Sequence, residues 1–271
     1  MICINGKPMA IGNFPDGSML IKEIVPKADR VDLSWYYEDD KELIALIYIA
    51  NHAKAHGCEN LHLYMPYLPN ARQDRVKTAE DVFTLKYFAG VINSLGFRTV
   101  RVLDPHSNVS EALIDRILVD KPTEYIEAAI QKITAIEGEA PSMFYPDEGA
   151  GKRYSGMIPL PYAFGIKKRD WKSGKILGLD VAGDTESIAG KNILIVDDIC
   201  SKGGTFYFSA MKLKELGAKN VYLYVTHCEN TIFEGELLKG DLIQRIFTTN
   251  SVLTETHELI DITDLKEAFH E

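Results

Sequence analysis

Apolar positions along this chain fall into two alternating rhythms. Short, mostly apolar runs, many of them β-branched and unbroken at 193–196, recur at residues 61–65, 99–103, 143–145, 162–166, 176–181, 193–196 and 221–226. Runs of that length predict strands covered on both faces of a parallel sheet. Between them the spacing changes to three and four. Leu43, Leu46, Ile47, Ala50 and Ala53 form one stripe after Asp39 and Asp40, either of which suits a helix cap, and the helix ends near Gly57. Similar stretches predict helices over 79–95, 111–118, 123–136 and 206–216, with Gly96 and Gly217 closing two of them. Strand and helix in alternation mean largely parallel sheets with helices on both faces, an α/β fold.

The alternation restarts around Asp120-Lys121-Pro122-Thr123, which divides the chain into two similar units. The first is expected to span 1–120 and the second 121–249. The tail, 250–271, is expected to pack back on the first unit, strand-like and then helical over 259–269. Residues 1–27 read as short strands around a turn at Asn13-Phe14-Pro15-Asp16-Gly17, and 31–37 as a further strand.

Composition narrows the classes. The chain has 271 residues, 46% hydrophobic and 25% charged, which suits one large or two ordinary domains. Its formal net charge of −9 repels a polyanion, so nucleic acid is not an expected partner. Cys3, Cys58, Cys200 and Cys228 stand too far apart for a zinc pair and are too few for a disulfide scaffold, which fits a reducing cytoplasm. No signal peptide is recognisable, and no apolar run approaches the roughly 20 residues that cross a bilayer.

The chemistry concentrates at predicted strand exits, where open α/β sheets bind ligands. Residues 191–205, KNILIVDDICSKGGT, combine a buried strand with the acid pair Asp197-Asp198 and a turn of Ser201, Lys202, Gly203, Gly204 and Thr205. Paired glycines let backbone N–H groups converge on an anion, and the next helix aims its positive end at the same point. Carboxylates for hydroxyls or a metal, with a loop for phosphate, suggest a sugar phosphate. After 61–65 come Arg72, Gln73, Asp74 and Arg75. The arginines suit bidentate phosphate contacts and Gln73 suits a base edge, although a solvated charged loop is the alternative. The strand at 99–103 leads to Asp104-Pro105-His106-Ser107, and the one at 143–145 to Pro146-Asp147-Glu148-Gly149. A basic and polar segment, 167–175, follows 162–166.

Taken in order, NFPDGS, PYLPNARQDR, DPHS, PDEGAG, the KKR segment and the acid-pair loop resemble the ribose-phosphate pyrophosphokinase family, the phosphoribosyl pyrophosphate (PRPP) synthetases. The resemblance implies two phosphoribosyltransferase-like domains and transfer of the diphosphoryl group of ATP to the 1-hydroxyl of ribose 5-phosphate. It implies ATP contacts at Arg72, Gln73, Asp74 and Arg75. A magnesium site would involve His106 and Asp147, and Lys168 and Arg169 would sit on a catalytic loop. Asp197 and Asp198 would hold the sugar, and residues 201–205 its phosphate. Phe14 and Asp16 would reach the adenine of a neighbouring subunit, which implies a homo-oligomer, dimer-based or hexameric.

Three departures qualify the resemblance. Ser18 stands where the family has Glu. Ser201 and Lys202 replace Asp-Thr at the start of the phosphate loop. The chain is also shorter than most relatives before Phe14. Lys202 either faces solvent or adds a charge suited to a diphosphate, in which case the acceptor is a larger 5-substituted ribose such as ADP-ribose. A phosphoribosyltransferase and a non-catalytic regulatory homologue are the other readings. The first leaves the ARQDR and KKR stretches without a role. The second expects lost motif residues, whereas His106, Lys168, Arg169, Asp197 and Asp198 are all present.

Overall fold

The computed structural model describes residues 1–23, 25, 29–169 and 176–265. It divides the chain into two units between Lys121 and Pro122, with Leu265 grouped with the first. In the first unit the order is β1 (Ile2–Ile4), β2 (Lys7–Pro8), β3 (Ile11–Asn13), β4 (Met19–Ile21), β5 (Arg30–Trp35), α1 (Lys41–Ala55), β6 (Asn60–Met65), α2 (Thr84–Ser94), β7 (Thr99–Leu103), α3 (Val109–Leu113) and β8 (Ile117–Asp120). Among the described residues they form a sheet ordered β2-β1-β5-β6-β7-β8 and a separate hairpin, β3-β4. The run from β5 to β8 is parallel.

Helix α1 buries Ala45, Leu46, Ile49, Ala50 and Ala53, the expected stripe shifted by its neighbours, and Asp39 accepts the Lys41 N–H at 2.8 Å. Two expectations need correction. The helix predicted from 79 begins only at Thr84, because the Asp81 carboxylate accepts the N–H groups of Lys77 and Thr78 at 2.8 and 2.7 Å and closes a turn instead. The helix predicted over 111–118 stops at Leu113, and Ile117–Asp120 pairs with β7 as a strand. A three-residue apolar run is read equally well either way, and the open sheet edge decides it.

The second unit contains α4 (Thr123–Glu137), β9 (Ser142–Tyr145), α5 (Glu148–Tyr154), β10 (Tyr162–Arg169), β11 (Ile176–Gly183), β12 (Asn192–Cys200), α6 (Gly204–Glu215), β13 (Asn220–Cys228), β14 (Arg245–Thr249) and β15 (Ile260–Thr263). Its sheet, ordered β11-β10-β9-β12-β13-β14-β15, is parallel except where β11 folds back on β10. Ile193, Ile195, Val221, Leu223 and Val225 pack with Phe206, Ala210 and Leu213 of α6 into one apolar core.

Here too the sequence reading is amended. Strand β12 runs on past Val196 to Cys200, so Asp197 and Asp198 lie within it, paired alongside β13. Strand β10 carries on through Arg169, so Lys168 and Arg169 belong by backbone to an antiparallel arm rather than a loop. Their side chains, and residues 170–175 of the basic segment, lie outside the described residues. Strand β15 joins the second sheet beside β14, so residues 250–264 belong to the second unit instead of packing back on the first. The helical end expected up to 269 lies outside the described residues.

Candidate functional site

Strand order locates a crevice in the second unit. From β9 the chain crosses by α5 to β10 on one side. From β12, on the other side of β9, it crosses by α6 away to β13. Right-handed crossovers therefore put α5 and α6 on opposite faces, and the carboxyl ends of β9 and β12 flank a topological switch point. Asp147 follows β9, and Asp197, Asp198 and the glycine loop end β12 and follow it.

Asp147 caps α5, its Oδ1 accepting the Ala150 N–H at 3.1 Å. Arg153, near the far end of the same helix, donates from Nη1 to Asp198 Oδ2 at 3.0 Å. Asp198 is only 4% exposed. The Asp198 N–H donates in turn to Asp197 Oδ1 at 3.0 Å. Burial, then the charges of Asp198 and Asp147, push the Asp197 carboxyl well above the usual carboxylate range. The two neighbouring acids thus raise the proton affinity of Asp197, and a cation beside it would lower that affinity again.

The turn after β12 is built as a cradle. Gly203 sits at φ +77° and Gly204 opens α6. The segment after β13 closes against it. A Cβ on Gly235 would lie 1.9 Å from the Lys202 carbonyl oxygen, and one on Gly203 would lie 3.0 Å from Leu237. Both positions therefore exclude side chains. Ser201 and Thr205 are half-buried at the two ends of the turn. Lys202 turns outward, its Nζ 2.7 Å from Glu234 Oε2, with 65% of its side chain exposed. That orientation removes the structural argument for a diphosphate at this loop.

In the first unit two adjacent strand exits are tied together. Asp74, in the loop after β6, is gripped by Arg75 through Nε–Oδ1 and Nη2–Oδ2 contacts of 2.7 and 2.8 Å. Ser107, after β7, donates to Asp74 Oδ2 at 2.6 Å. The Arg75 contacts, with Ser107 adding to them, hold the Asp74 carboxyl well below the usual range. Both loops contain a non-glycine residue with positive φ, Asn70 at 64° and Asp104 at 42°, residue types that tolerate it. Gln73 Oε1 accepts the Thr84 hydroxyl at 3.0 Å, which fixes its amide against the start of α2. Arg72 and His106 are exposed on these loops. So Arg72, Gln73, Asp74, Arg75 and His106 share one rim, with Arg75 held by Asp74.

Phe14 and Asp16 occupy the turn joining β3 to β4. Phe14 is 50% exposed. Asp16 Oδ1 accepts the Ser18 N–H and hydroxyl at 2.9 and 2.6 Å, so the serine that departs from the family pattern shapes the turn itself.

Among the described residues no group of three or more His, Cys, Asp and Glu side chains forms a ready metal cage. Hard carboxylate oxygens from Asp147 and the acid pair nonetheless suit magnesium, which keeps waters and substrate phosphate oxygens in its shell. Sequence reasoning missed Arg153, Ser107, Glu234 and Gly235. Only Ser107 lay within a quoted motif, and the others act through contacts remote in sequence. All four cysteines are buried, and no described helix is long and apolar enough to cross a membrane.

Two largely parallel units, the second with an acid pair and glycine cradle at its switch point, define a phosphoribosyltransferase-like α/β protein. A search of protein-family models finds no match. The chain is similar to the ribose-phosphate pyrophosphokinase of Saccharolobus solfataricus, 27% identical over 258 residues covering 92% of this chain and 86% of that protein. The Pyrococcus furiosus enzyme of the same name is 27% identical over 266 residues, 94% of this chain and 90% of its own. The crystal structure of phosphoribosylpyrophosphate synthetase from Mycobacterium smegmatis superposes with a TM-score of 0.78 at 19% identity, over 97% of this chain and 88% of that one. The chain is thus similar to the ribose-phosphate pyrophosphokinases along nearly its whole length, and it shares the fold of the PRPP synthetase structure.

Proposed function

We propose that this protein is a ribose-phosphate pyrophosphokinase that transfers the diphosphoryl group of ATP to the 1-hydroxyl of ribose 5-phosphate, giving PRPP and AMP. The observation that carries the reading is the acid pair and glycine cradle at a switch point, in a chain similar to proteins of that name over 92% of its length. In this reading the cradle of residues 201–205 takes the 5-phosphate through backbone N–H groups and the α6 terminus. Asp197 and Asp198 orient the sugar hydroxyls. Arg72, Gln73, Asp74 and Arg75 serve ATP, and His106 serves its metal.

The sugar oxygen attacks the β-phosphorus, the bond from that phosphorus to the AMP oxygen breaks, and the hydroxyl proton leaves. Charge grows on the phosphoryl oxygens and the departing AMP oxygen, where Lys168 and Arg169 stabilise it. Asp147 would also help to hold magnesium, which when bound would supply further neutralisation of those oxygens. Phe14 and Asp16 complete the adenine site of a neighbouring copy, so the enzyme works as a homo-oligomer. It operates in the cytoplasm, without nucleic acid or membrane.

The test is incubation with ATP, Mg2+ and either ribose 5-phosphate or ADP-ribose, scoring AMP release and product mass. AMP and a product of PRPP mass are expected with ribose 5-phosphate. AMP formed only with ADP-ribose would overturn the acceptor, and base ribosylation without ATP would overturn the reaction.

A further inference from the structure

Strand geometry separates the two adjacent acids. Successive residues of a strand point to opposite faces. Asp197 shares its parity with Ile193 and Ile195, which pack in the core with α6. Asp198 points to the opposite face, where Arg153 of α5 meets it at 3.0 Å with 6% of the Asp198 side chain exposed. A carboxylate so buried keeps its charge only beside a cation. Its backbone N–H then holds the Asp197 carboxylate. Helix α5 carries Asp147 at its start and Arg153 in its last turn, so one ion pair clamps this seven-residue helix to β12 across the crevice.

We propose that Arg153 is a positioning residue for the acceptor site, fixing Asp198 so that Asp197 and Asp147 are held at the spacing the sugar requires, with Asp197 the acid that meets its hydroxyls. The proposal rests on the reading of the second unit as the ribose-phosphate side. Arg153 therefore acts on acceptor binding and leaves ATP binding alone.

The experiment is a double-mutant cycle in the full-length protein with Arg153→Ala, Asp198→Asn and both together, plus Arg153→Lys. Loss of one charged contact predicts a rise in the KM for ribose 5-phosphate of about tenfold or more in Arg153→Ala, with the KM for ATP within about twofold. Arg153→Lys should recover most of the loss. The double variant should be no worse than Arg153→Ala alone, because both changes break one link. Equal rises in both KM values, additive losses, or wild-type kinetics in Arg153→Ala would overturn it. If Arg153→Ala does not fold, the Arg153→Lys and Asp198→Asn variants carry the comparison, and parity of their two KM values with wild type sinks the proposal. Wild-type AMP release tests the proposed function separately. Should turnover be absent, the same cycle is read by calorimetric binding of ribose 5-phosphate, and a wild type that binds none overturns both.

Discussion

Lys202 and Glu234 form an ion pair with 65% and 59% of their side chains exposed, and pairs of that kind contribute about 0–1 kcal/mol. Lys202→Ala should therefore change stability by less than about 1 kcal/mol and the KM for ribose 5-phosphate by less than about threefold. Thermal melts and steady-state kinetics check both, and a large rise in KM would return the lysine to the phosphate site. Asp74 differs because it is 10% exposed and held by two partners. Its folded pKa lies below its unfolded value of about 3.9, so the stability it contributes is complete above that pH and lost as pH falls through the folded value. Asp74→Asn should flatten the loss of unfolding free energy with acid below about pH 4, relative to wild type, in urea titrations at stepped pH. The arginine pair itself was visible in sequence as a charged loop, but nothing in the spacing indicated that Arg75 would turn back on Asp74.

Strands β10 and β11 form an antiparallel arm with a register shift between Lys168 and Arg169. The sequence reading ended β10 at Ile166 because the apolar run gave way there to basic residues. Antiparallel backbone pairing needs no apolar run, so the arm was legible only from its hydrogen bonds. Lys168→Ala and Arg169→Ala should each cut kcat by orders of magnitude while leaving the melting temperature nearly unchanged, as expected for groups that act only in the transition state. Unchanged turnover in both would remove their catalytic assignment. Helix α5 shows the opposite limit. Its sequence, EGAGKRY, contains two glycines and lacks a full apolar stripe, so no helix was predicted. Asp147 as cap and Arg153 as clamp supply from outside what propensity does not.

For the molecule as a whole, the proposed reading, in which Phe14 of another copy completes the adenine site, requires association. Light scattering should give a mass of at least twice the 30.4 kDa of one chain. A monomer active at full rate when dilute would detach Phe14 and Asp16 from the site. The two-unit division and the α/β class were readable in the sequence, because buried parallel strands and amphipathic helices carry opposite periodicities. The succession of arginine stretch, acid pair and glycine loop was readable too, because each differs in residue type from the apolar run before it. Tertiary structure alone decided that β15 closes the second sheet, that Lys202 pairs with Glu234 away from the cradle, and that Arg153 backs Asp198. Each depends on partners at least 14 residues away in sequence. Periodicity reports which face of an element is buried, but not which distant element will cover it.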